Sequence, residues 1–375
     1  FWDAFWATML GSVILEVISF LLGYAGAREG LSTSLLSRYT GFGKHGSTIL
    51  AFVIGVSSIG WFGVQNAVFA DGLVQAFGGS WPVVAALTGL GVTLLVIFGF
   101  RVLSITASIA VPLFFIAVAF GIYAVLKEHS ISELIASAPA GEPLSIGVAA
   151  TMVAGGFIVG AIITPDYSRF AKSGSHVFWM TMIGTIIGEL GINMIAVLMA
   201  LAARTSDVAN IMMSLTGWLG AIMVIFSTVK INNLNLYSAS LGFTNMFNTI
   251  FNLKLNRGKV TLGIGIIGTI LSIMGILDYF NSFLVLLGVA LPPFAGIMVV
   301  DYFILRSHRK ELDESKEKGE LPGDGGKLHP MTLISWATGF AVGYFVTLGI
   351  PSINSLVSAG VLYYVSMLIV KRKMK

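Results

Sequence analysis

The chain of 375 residues is 56% hydrophobic and only 11% charged, which excludes a soluble globular domain, in which about 25% of residues are charged. The formal net charge of +4 resides in short connecting segments, so no basic face is present for a nucleic acid to follow. The chain has no Cys and only five His residues, which excludes disulfides and thiolate metal sites and leaves little for catalysis. The composition therefore predicts a polytopic membrane protein that is not an enzyme and holds no cofactor or metal.

Eleven hydrophobic runs are long enough to cross about 30 Å of hydrocarbon as helices, which predicts an all-α membrane protein. Tight turns are expected at Phe100–Arg101 and at Pro351–Ser352, where two pairs of runs nearly touch. The predicted spans are residues 4–25, 48–77, 82–100, 103–126, 145–165, 177–202, 217–244, 260–277, 281–304, 332–350 and 353–370.

The Lys and Arg residues predict the orientation. If the loop after the first span is cytoplasmic, 19 of the 22 basic residues lie inside; only Lys127 and Arg204 fall outside, and Lys230 lies within the membrane. This asymmetry predicts an inner (plasma) membrane protein with a cytoplasmic C-terminus. Residue 1 then faces outward at the edge of a helix and is not Met, so we expect one further span upstream, for a total of twelve.

Three regions are expected along the chain. Residues 1–305 form a transport core, and residues 306–331, which carry Lys, Glu and Asp in near balance together with Pro and Gly, are typical of a solvated cytoplasmic linker. Residues 332–375 form two peripheral helices and a basic tail. The two helices carry few polar residues, so we expect them to pack against the core or against another subunit, and the oligomeric state stays open.

The stretch Phe226–Ser240 places polar side chains inside a segment that otherwise resembles a membrane span. Lys230, Asn232, Asn233 and Asn235 fall near its middle, where an ammonium costs about 2.5–3.5 kcal/mol on insertion scales. Transmembrane helices also use Asn to join helices, at about 0.6–2 kcal/mol each. Three Asn and one Lys within six positions exceed what packing needs, so we interpret the stretch as a binding site.

A second candidate pairs an aromatic ring with an amide. Trp61 and Gln65 are four residues apart and therefore share one helix face, with Trp61 near mid-depth. The flat indole and an amide that both donates and accepts hydrogen bonds suit a planar heteroaromatic ring.

The third candidate is the glycine cluster between Gly155 and Gly160. Glycine in a helix interior costs about 1 kcal/mol relative to Ala, and a helix break at mid-membrane would free backbone groups to bind substrate or ion. Close packing of helices through small residues explains the same pattern. From the glycines alone both interpretations stay open.

Five motifs together carry a resemblance to a known family. They are SFLLGY with GAREGLS at 19–32, SIGWFGVQ at 58–65, GFI with TPDYSRF at 156–170, NLYSASLGF at 235–243 and PPFAGIMVVDYF at 292–303. The chain resembles, from residue 1 to about 305, the nucleobase:cation symporter family of purine, cytosine, allantoin and hydantoin permeases, and within it the bacterial cytosine permeases most. The resemblance implies twelve helices with a leucine-transporter-type core of two inverted five-helix repeats, of which this chain lacks the first helix.

The resemblance also implies roles for single residues. Trp61 and Phe157 would sandwich the base, Gln65 and Asn232 would bond its edge with Asn233 beside them, and freed backbone between Gly156 and Gly160 would add contacts. Cytosine permeases have a serine in place of Val159 and a glycine in place of Gln65. These departures favour a related planar ring, such as a purine, another pyrimidine, the hydroxymethylpyrimidine of thiamine salvage, or an allantoin or hydantoin.

The family's cation site provides the last set of candidates. The resemblance implies that its ligand positions on the span containing Phe226–Ser240 correspond to Ser227, Lys230 and Ile231. The ammonium of Lys230 cannot coordinate sodium. We therefore expect proton coupling through Lys230, with sodium as the alternative. The membrane carboxylates Glu16 and Glu189 are candidate partners of that amine.

Other classes of function fit less well. A channel would line a continuous pore with polar faces, whereas polarity here is concentrated in three spans, and a receptor would ordinarily carry a larger soluble domain. An enzyme needs catalytic partners, but Glu16 and Glu189 have no His or metal-ligand spacing near them. With the resemblance, the prediction is a secondary active transporter that imports a planar nucleobase-like heterocycle (cytosine, a purine or a related pyrimidine) by cation symport with alternating access. The alternatives are a transporter of a hydroxymethylpyrimidine or of allantoin or hydantoin, and a non-transporting receptor or channel.

Overall fold

The computed structural model describes residues 1–97, 100–138, 141–323, 325–346 and 348–373, with their side chains except those of 100–110, 208, 215, 216 and 373. The elements in these ranges are helices. The α-helices are α1 (Trp2–Glu29), α2 (Thr33–Ser37), α3 (Gly43–Phe77), α4 (Trp81–Ile97), α5 (Phe100–Glu128), α6 (Ile131–Ala136), α7 (Ile146–Ile162), α8 (Thr164–Ser168), α9 (Gly174–Ile183), α10 (Ile192–Ala203), α11 (Val208–Thr216), α12 (Trp218–Phe251), α13 (Arg257–Ile273), α14 (Phe280–Ala290), α15 (Pro292–Val299), α16 (Arg309–Lys318), α17 (Pro330–Phe345) and α18 (Pro351–Lys373). Short π-helical segments occupy Arg38–Phe42, Gly184–Gly191 and Val300–Leu305, and Ile276–Tyr279 forms a 3₁₀ turn.

Eight helical segments within the described ranges are long and apolar enough to cross a membrane, by length and composition. The helix Trp81–Ile97 is apolar but shorter, and α13 and α17 have 17 and 16 residues. The all-helical, multi-pass prediction is confirmed. The count of eleven spans remains a prediction.

The two predicted tight turns are wrong in position. Phe100 and Arg101 lie in the first turn of α5, and residues 98 and 99 lie outside the described residues. Helix α18 begins at Pro351, because proline lacks the amide hydrogen that a first helical residue does not need. Pro351 and Ser352 therefore open a helix.

The described chain forms two compact units. The first unit comprises Phe1–Trp2, Phe52–Pro143 and Asn193–Phe280, and the second comprises Asp3–Ala51, Leu144–Ile192 and Asn281–Lys375. In the first unit α4 and α13 approach closely through small residues. A Cβ added to Gly89 would lie 2.3 Å from Thr269 Oγ1, and one added to Gly265 would lie 2.2 Å from Thr93 Oγ1. Such a crossing brings the two backbones together, as is usual where lipid supplies no hydrophobic drive.

In the second unit the TPDYSRF motif joins three helices. Asp166 Oδ1 accepts a hydrogen bond from Thr33 N of α2 at 2.9 Å, which satisfies one of the free amides of a helix start. Ser168 Oγ donates to Gly23 O of α1 at 2.8 Å. These contacts fix the end of α7 and α8 against α1 and α2.

The segment after residue 305 contains one of the helices, α16. Residues 309–318 form α16, with Leu312 buried and an exposed i,i+4 pair between Lys310 and Glu314. Arg309 of this helix bonds the buried Glu29 of α1. The charged residues of this segment support a helix, in which Leu312 takes a buried position, and the prediction of a solvated cytoplasmic linker at 306–331 remains a prediction.

Helices α17 and α18 pack into the second unit. Trp336 Nε1 donates to Ala290 O at 3.0 Å, and Ser352 Oγ donates to Gly288 O at 2.7 Å. These bonds join the two helices to α14, and their expected role as peripheral packing or oligomer helices remains a prediction. The boundaries 1–305, 306–331 and 332–375 remain predictions.

Candidate functional site

In the first unit, α3 and α12 bring together two of the polar side chains singled out in the sequence. Asn235 Nδ2 donates to Gln65 Oε1 at 3.4 Å, and both residues are half-buried. Trp61, one turn before Gln65 on α3, is also half-buried and meets the ring of Phe280 edge-on at 6.0 Å between centroids. The arrangement presents an indole and an amide pair on neighbouring helices.

Two consecutive amides of α12 are buried without partners. Asn232 is 0% and Asn233 is 1% exposed, and neither the nitrogen nor the oxygen of either amide has a hydrogen-bond partner among the described residues. Val229 and Leu236 of the same helix pack in an apolar cluster with residues of α3, α4 and α13, and the two Asn lie between them in sequence. An unsatisfied buried polar group costs about 1–3 kcal/mol, so these amides need an explanation other than packing.

Asn66 of α3 shows what a structural amide looks like in this unit. Its Nδ2 donates to Ala85 O at 2.9 Å and to Ser272 Oγ at 3.1 Å, and its Oδ1 accepts from Thr88 Oγ1 at 2.9 Å. Asn66 is buried and joins α3, α4 and α13, as a helix-joining amide in a membrane should. Asn232 and Asn233 share its burial but not its bonds.

The three candidate cation-coupling residues of α12 lie within the two turns that precede these amides. Ser227 Oγ bonds Met223 Sδ at 3.4 Å, and Lys230 and Ile231 are half-buried. Within its own unit Lys230 has no ion-pair partner among the described residues. Since Lys230 and Asn233 are three residues apart, the amine and one unpaired amide lie on about the same face of α12.

In the second unit α7 runs unbroken from Ile146 to Ile162, so the expected helix break at the glycines is wrong. Gly155 instead allows close packing, because a Cβ there would lie 2.0 Å from Leu284 O of α14. The carbonyl of Gly160 accepts from Tyr167 OH at 3.1 Å. The backbone from Gly156 to Gly160 is therefore helical rather than freed for a ligand.

The glycines do make room for an aromatic side chain. A Cβ on Gly160 would lie 2.5 Å from the ring of Phe157, whereas one on Gly156 would meet nothing within 4 Å. Phe157 is 49% exposed, and Val159 is half-buried. Trp61 and Phe157 belong to different units, and their joint contact with a base remains a prediction.

The two candidate carboxylates also lie in the second unit. Glu16 Oε1 accepts from Thr181 Oγ1 at 2.8 Å, and Oε2 accepts from Thr185 Oγ1 at 3.1 Å. Glu189 is half-buried in the π-helical segment Gly184–Gly191, a kind of segment that is frequent at functional sites. Each carboxylate thus has a distinct local setting.

Sequence reasoning missed Asn66, Thr181 and Thr185. Asn66 directly follows Gln65, and an Asn within a membrane span could have been flagged as readily as those of α12. The two threonines are four residues apart, which predicts a shared helix face. Nothing in the sequence pairs that face with Glu16.

Comparison with known proteins places this chain in a family. A family model described as permease for cytosine/purines, uracil, thiamine, allantoin matches residues 1–369. The cytosine permease of Escherichia coli (strain K12) is 28% identical over 375 residues, which cover 99% of this chain and 85% of that protein. The hydantoin permease of Microbacterium maritypicum is 25% identical over 404 residues, which cover 98% of this chain and 79% of that protein.

A solved structure shares the fold. Mhp1, a nucleobase-cation-symport-1 family transporter solved in a closed conformation with bromovinylhydantoin bound, is similar with a TM-score of 0.76 at 19% identity, over 99% of this chain and 86% of that chain. The resemblance stated from the sequence motifs is confirmed, and the inverted-repeat detail remains a prediction. The match over residues 1–369 shows that this chain belongs to the family of membrane permeases for cytosine and purines, uracil, thiamine and allantoin, and that it is a transporter and not an enzyme.

Proposed function

We propose that this permease imports a neutral, planar nitrogen heterocycle by cation symport with alternating access. The observation that carries the proposal is the pair of buried, unpartnered amides at Asn232 and Asn233. A carboxamide donates two hydrogen bonds and accepts two, which matches the mixed donor and acceptor edge of a nucleobase.

The ligand contacts follow from the side chains of α3 and α12. Asn232 bonds the edge of the ring, Gln65 adds a second amide held by Asn235, and Trp61 supplies a stacking face. Stacking of a base on an aromatic side chain is worth about 1–3 kcal/mol. A hydrogen bond to each amide adds a net of about 0.5–1.5 kcal/mol.

The proposed substrate is a class of planar rings rather than one compound. The relatives at 28% and 25% identity carry the names of cytosine and hydantoin permeases, which differ in ring size but share a planar ring with an amide-like edge. Gln65 and Val159 differ from the side chains typical of cytosine permeases. These differences favour a purine, another pyrimidine, a hydroxymethylpyrimidine, or an allantoin or hydantoin as the preferred substrate.

We also propose that coupling uses protons rather than sodium. Lys230 occupies a position where the family places a sodium ligand, and an ammonium repels sodium while an amine can carry a proton. The half-buried amine has no carboxylate partner among the described residues of its own unit. The proposed orientation has the C-terminus in the cytoplasm of an inner (plasma) membrane, because 19 of the 22 basic residues fall on that side.

Uptake into proteoliposomes tests the function. Radiolabelled cytosine, hypoxanthine, uracil, allantoin and benzylhydantoin are offered in turn, with a pH gradient or a sodium gradient as the only driving force. We expect one of these rings to accumulate with the pH gradient and the sodium gradient to have no effect. Sodium-driven accumulation would overturn the coupling proposal, and passage of ions without any ring would favour a channel.

A further inference from the structure

A cavity of about 360 Å³ lies in the second unit and is lined by none of the residues assigned above to substrate or cation. One wall is the last part of α1, with Phe20, Leu21, Tyr24 and Arg28. Since α1 rises 1.5 Å per residue, this wall is about 12 Å long from Phe20 to Arg28. The cavity is therefore long enough for a molecule with two chemically different ends.

The opposite wall comes from the end of the Val300–Leu305 segment and from α16, with Phe303, Arg306 and Arg309. Three Arg residues thus line one small cavity. Arginine presents its donors in a planar fork that matches the oxygens of phosphate, which makes such a cluster a phosphate-binding arrangement.

The carboxylates near the cavity compensate only part of this charge. Glu29, whose side chain is 2% exposed, accepts from Arg309 at 2.8 Å and from the hydroxyl of Tyr302, and lies 3.6 Å from Arg28 Nε. Asp313 is 3.9 Å from Arg309 and half exposed, so water screens it. The three Arg residues therefore have two carboxylates near them, of which Glu29 is strongly paired and Asp313 only weakly.

Arg306 is the guanidinium with the least compensation. It has no ion-pair partner among the described residues, and its Nε donates to Phe303 O at 3.3 Å. Its backbone is in the left-handed region, with φ of 49°, and its amide nitrogen bonds Asp301 O at 2.7 Å. Lys316 adds a further positive charge beside the cavity, since its Nζ bonds Arg28 O at 2.7 Å.

The other end of the cavity is apolar. Tyr24 lies 6.2 Å from Phe303 and 6.1 Å from Phe20 between ring centroids, and Leu21 completes this end. An apolar end with a cationic end suits a phosphodiester attached to an acyl chain, and a basic pocket between membrane helices is a setting in which anionic headgroups bind.

We propose that this cavity binds a phosphate group through Arg28 and Arg306, with Arg309 held in place by Glu29. The phosphate belongs either to an anionic lipid, whose acyl chain would lie along the aromatic end, or to free phosphate, which would use the cationic end alone.

Ligand-dependent thermal unfolding of the full chain in neutral detergent tests the proposal at constant ionic strength. The probes are dioctanoylphosphatidylglycerol, inorganic phosphate, and dioctanoylphosphatidylcholine as the zwitterionic control of equal chain length. A ligand that binds the folded protein raises the unfolding midpoint, and the shift grows with the ratio of free ligand concentration to Kd. Stabilisation by phosphatidylglycerol alone identifies a lipid site, and equal stabilisation by phosphate identifies a site for the free anion.

Variants connect the binding to the cavity. We expect Arg306→Gln and Arg28→Gln to lower the affinity for the probe at least ten-fold. Arg306→Lys should retain part of the affinity, because it keeps the positive charge but loses the planar set of guanidinium donors. The matched control is Lys310→Gln on α16, whose side chain is 92% exposed and does not line the cavity; it should leave the affinity unchanged. Arg309 is not substituted, because its loss would remove the nearest charged partner of the buried Glu29.

Three results would overturn the proposal. The first is that neither phosphatidylglycerol nor phosphate stabilises the chain saturably beyond the phosphatidylcholine control. The second is that both Arg28→Gln and Arg306→Gln bind like the parent chain. The third is that Lys310→Gln weakens binding as much as they do, since the attraction would then be a general surface effect.

Discussion

Replacing Asn232 by Leu should stabilise the fold while weakening substrate binding. Both polar atoms of the Asn232 amide are buried and unpaired among the described residues, and Leu has a similar shape without polar atoms. Removing an unsatisfied buried polar group returns its desolvation penalty of about 1–3 kcal/mol. The same change removes the hydrogen bond proposed for the ring of the substrate.

The matched substitution is Asn66→Leu, also at a buried Asn in the first unit. It removes the bonds to Ala85, Ser272 and Thr88, each worth a net of about 0.5–1.5 kcal/mol, so the expected loss is about 1.5–4.5 kcal/mol. The two Asn→Leu variants should therefore shift the unfolding midpoint in opposite directions.

The assay is thermal unfolding of the purified chain in detergent, with and without saturating substrate. Asn232→Leu should unfold at a higher temperature than the parent without substrate, and added substrate should raise its midpoint less than it raises that of the parent. Asn66→Leu should unfold at a lower temperature. If Asn232→Leu is as destabilising as Asn66→Leu, then Asn232 joins helices and the assignment of a ligand to its amide is refuted.

Three further substitutions test other parts of the argument. Trp61→Ala should weaken substrate binding ten-fold or more, because stacking is worth about 1–3 kcal/mol; an unchanged Kd in a binding titration would remove the stacking contact. Lys230→Ala should abolish accumulation against a gradient while leaving exchange of bound substrate intact, as measured by uptake and counterflow in vesicles, and accumulation at the parent level would remove Lys230 from coupling. Gly155→Ala should lower the unfolding midpoint, because its Cβ would lie 2.0 Å from Leu284 O, whereas Gly156→Ala should be neutral or stabilising by about 1 kcal/mol; equal effects of the two would contradict the packing of α7.

Hydropathy predicted the membrane helices because length and apolarity alone decide whether a segment can span a bilayer. It misplaced the turns, since Phe100 and Pro351 start helices and their neighbours give no signal of where the preceding helix ends. The glycine cluster of α7 was ambiguous for a different reason. A helix break and a close crossing use the same residue, and only the carbonyl of Leu284 beside Gly155 distinguishes them.

The sequence showed that the polar stretch of α12 is unusual, but it did not show which of its Asn side chains have hydrogen-bond partners. Counting residues drew attention to Asn232, Asn233 and Asn235 equally. In the structure Asn235 bonds Gln65, whereas the other two have no partner among the described residues. Pairing depends on which residue of a neighbouring helix lies opposite, and that register is a property of the packed helices rather than of one segment.

The TPDYSRF and PPFAGIMVVDYF motifs supply hydrogen bonds between helices. Asp166 and Ser168 of the TPDYSRF motif bond α2 and α1, and Asp301 of the PPFAGIMVVDYF motif accepts from Tyr363 of α18 at 3.1 Å. These side chains join helices of the second unit, so their physical role is structural and does not depend on the identity of the substrate. The amides of Asn232 and Asn233 have no hydrogen-bond partner among the described residues, so, unlike the groups of these two motifs, they are not used to join helices there, and their four polar atoms stay available for the ligand proposed above.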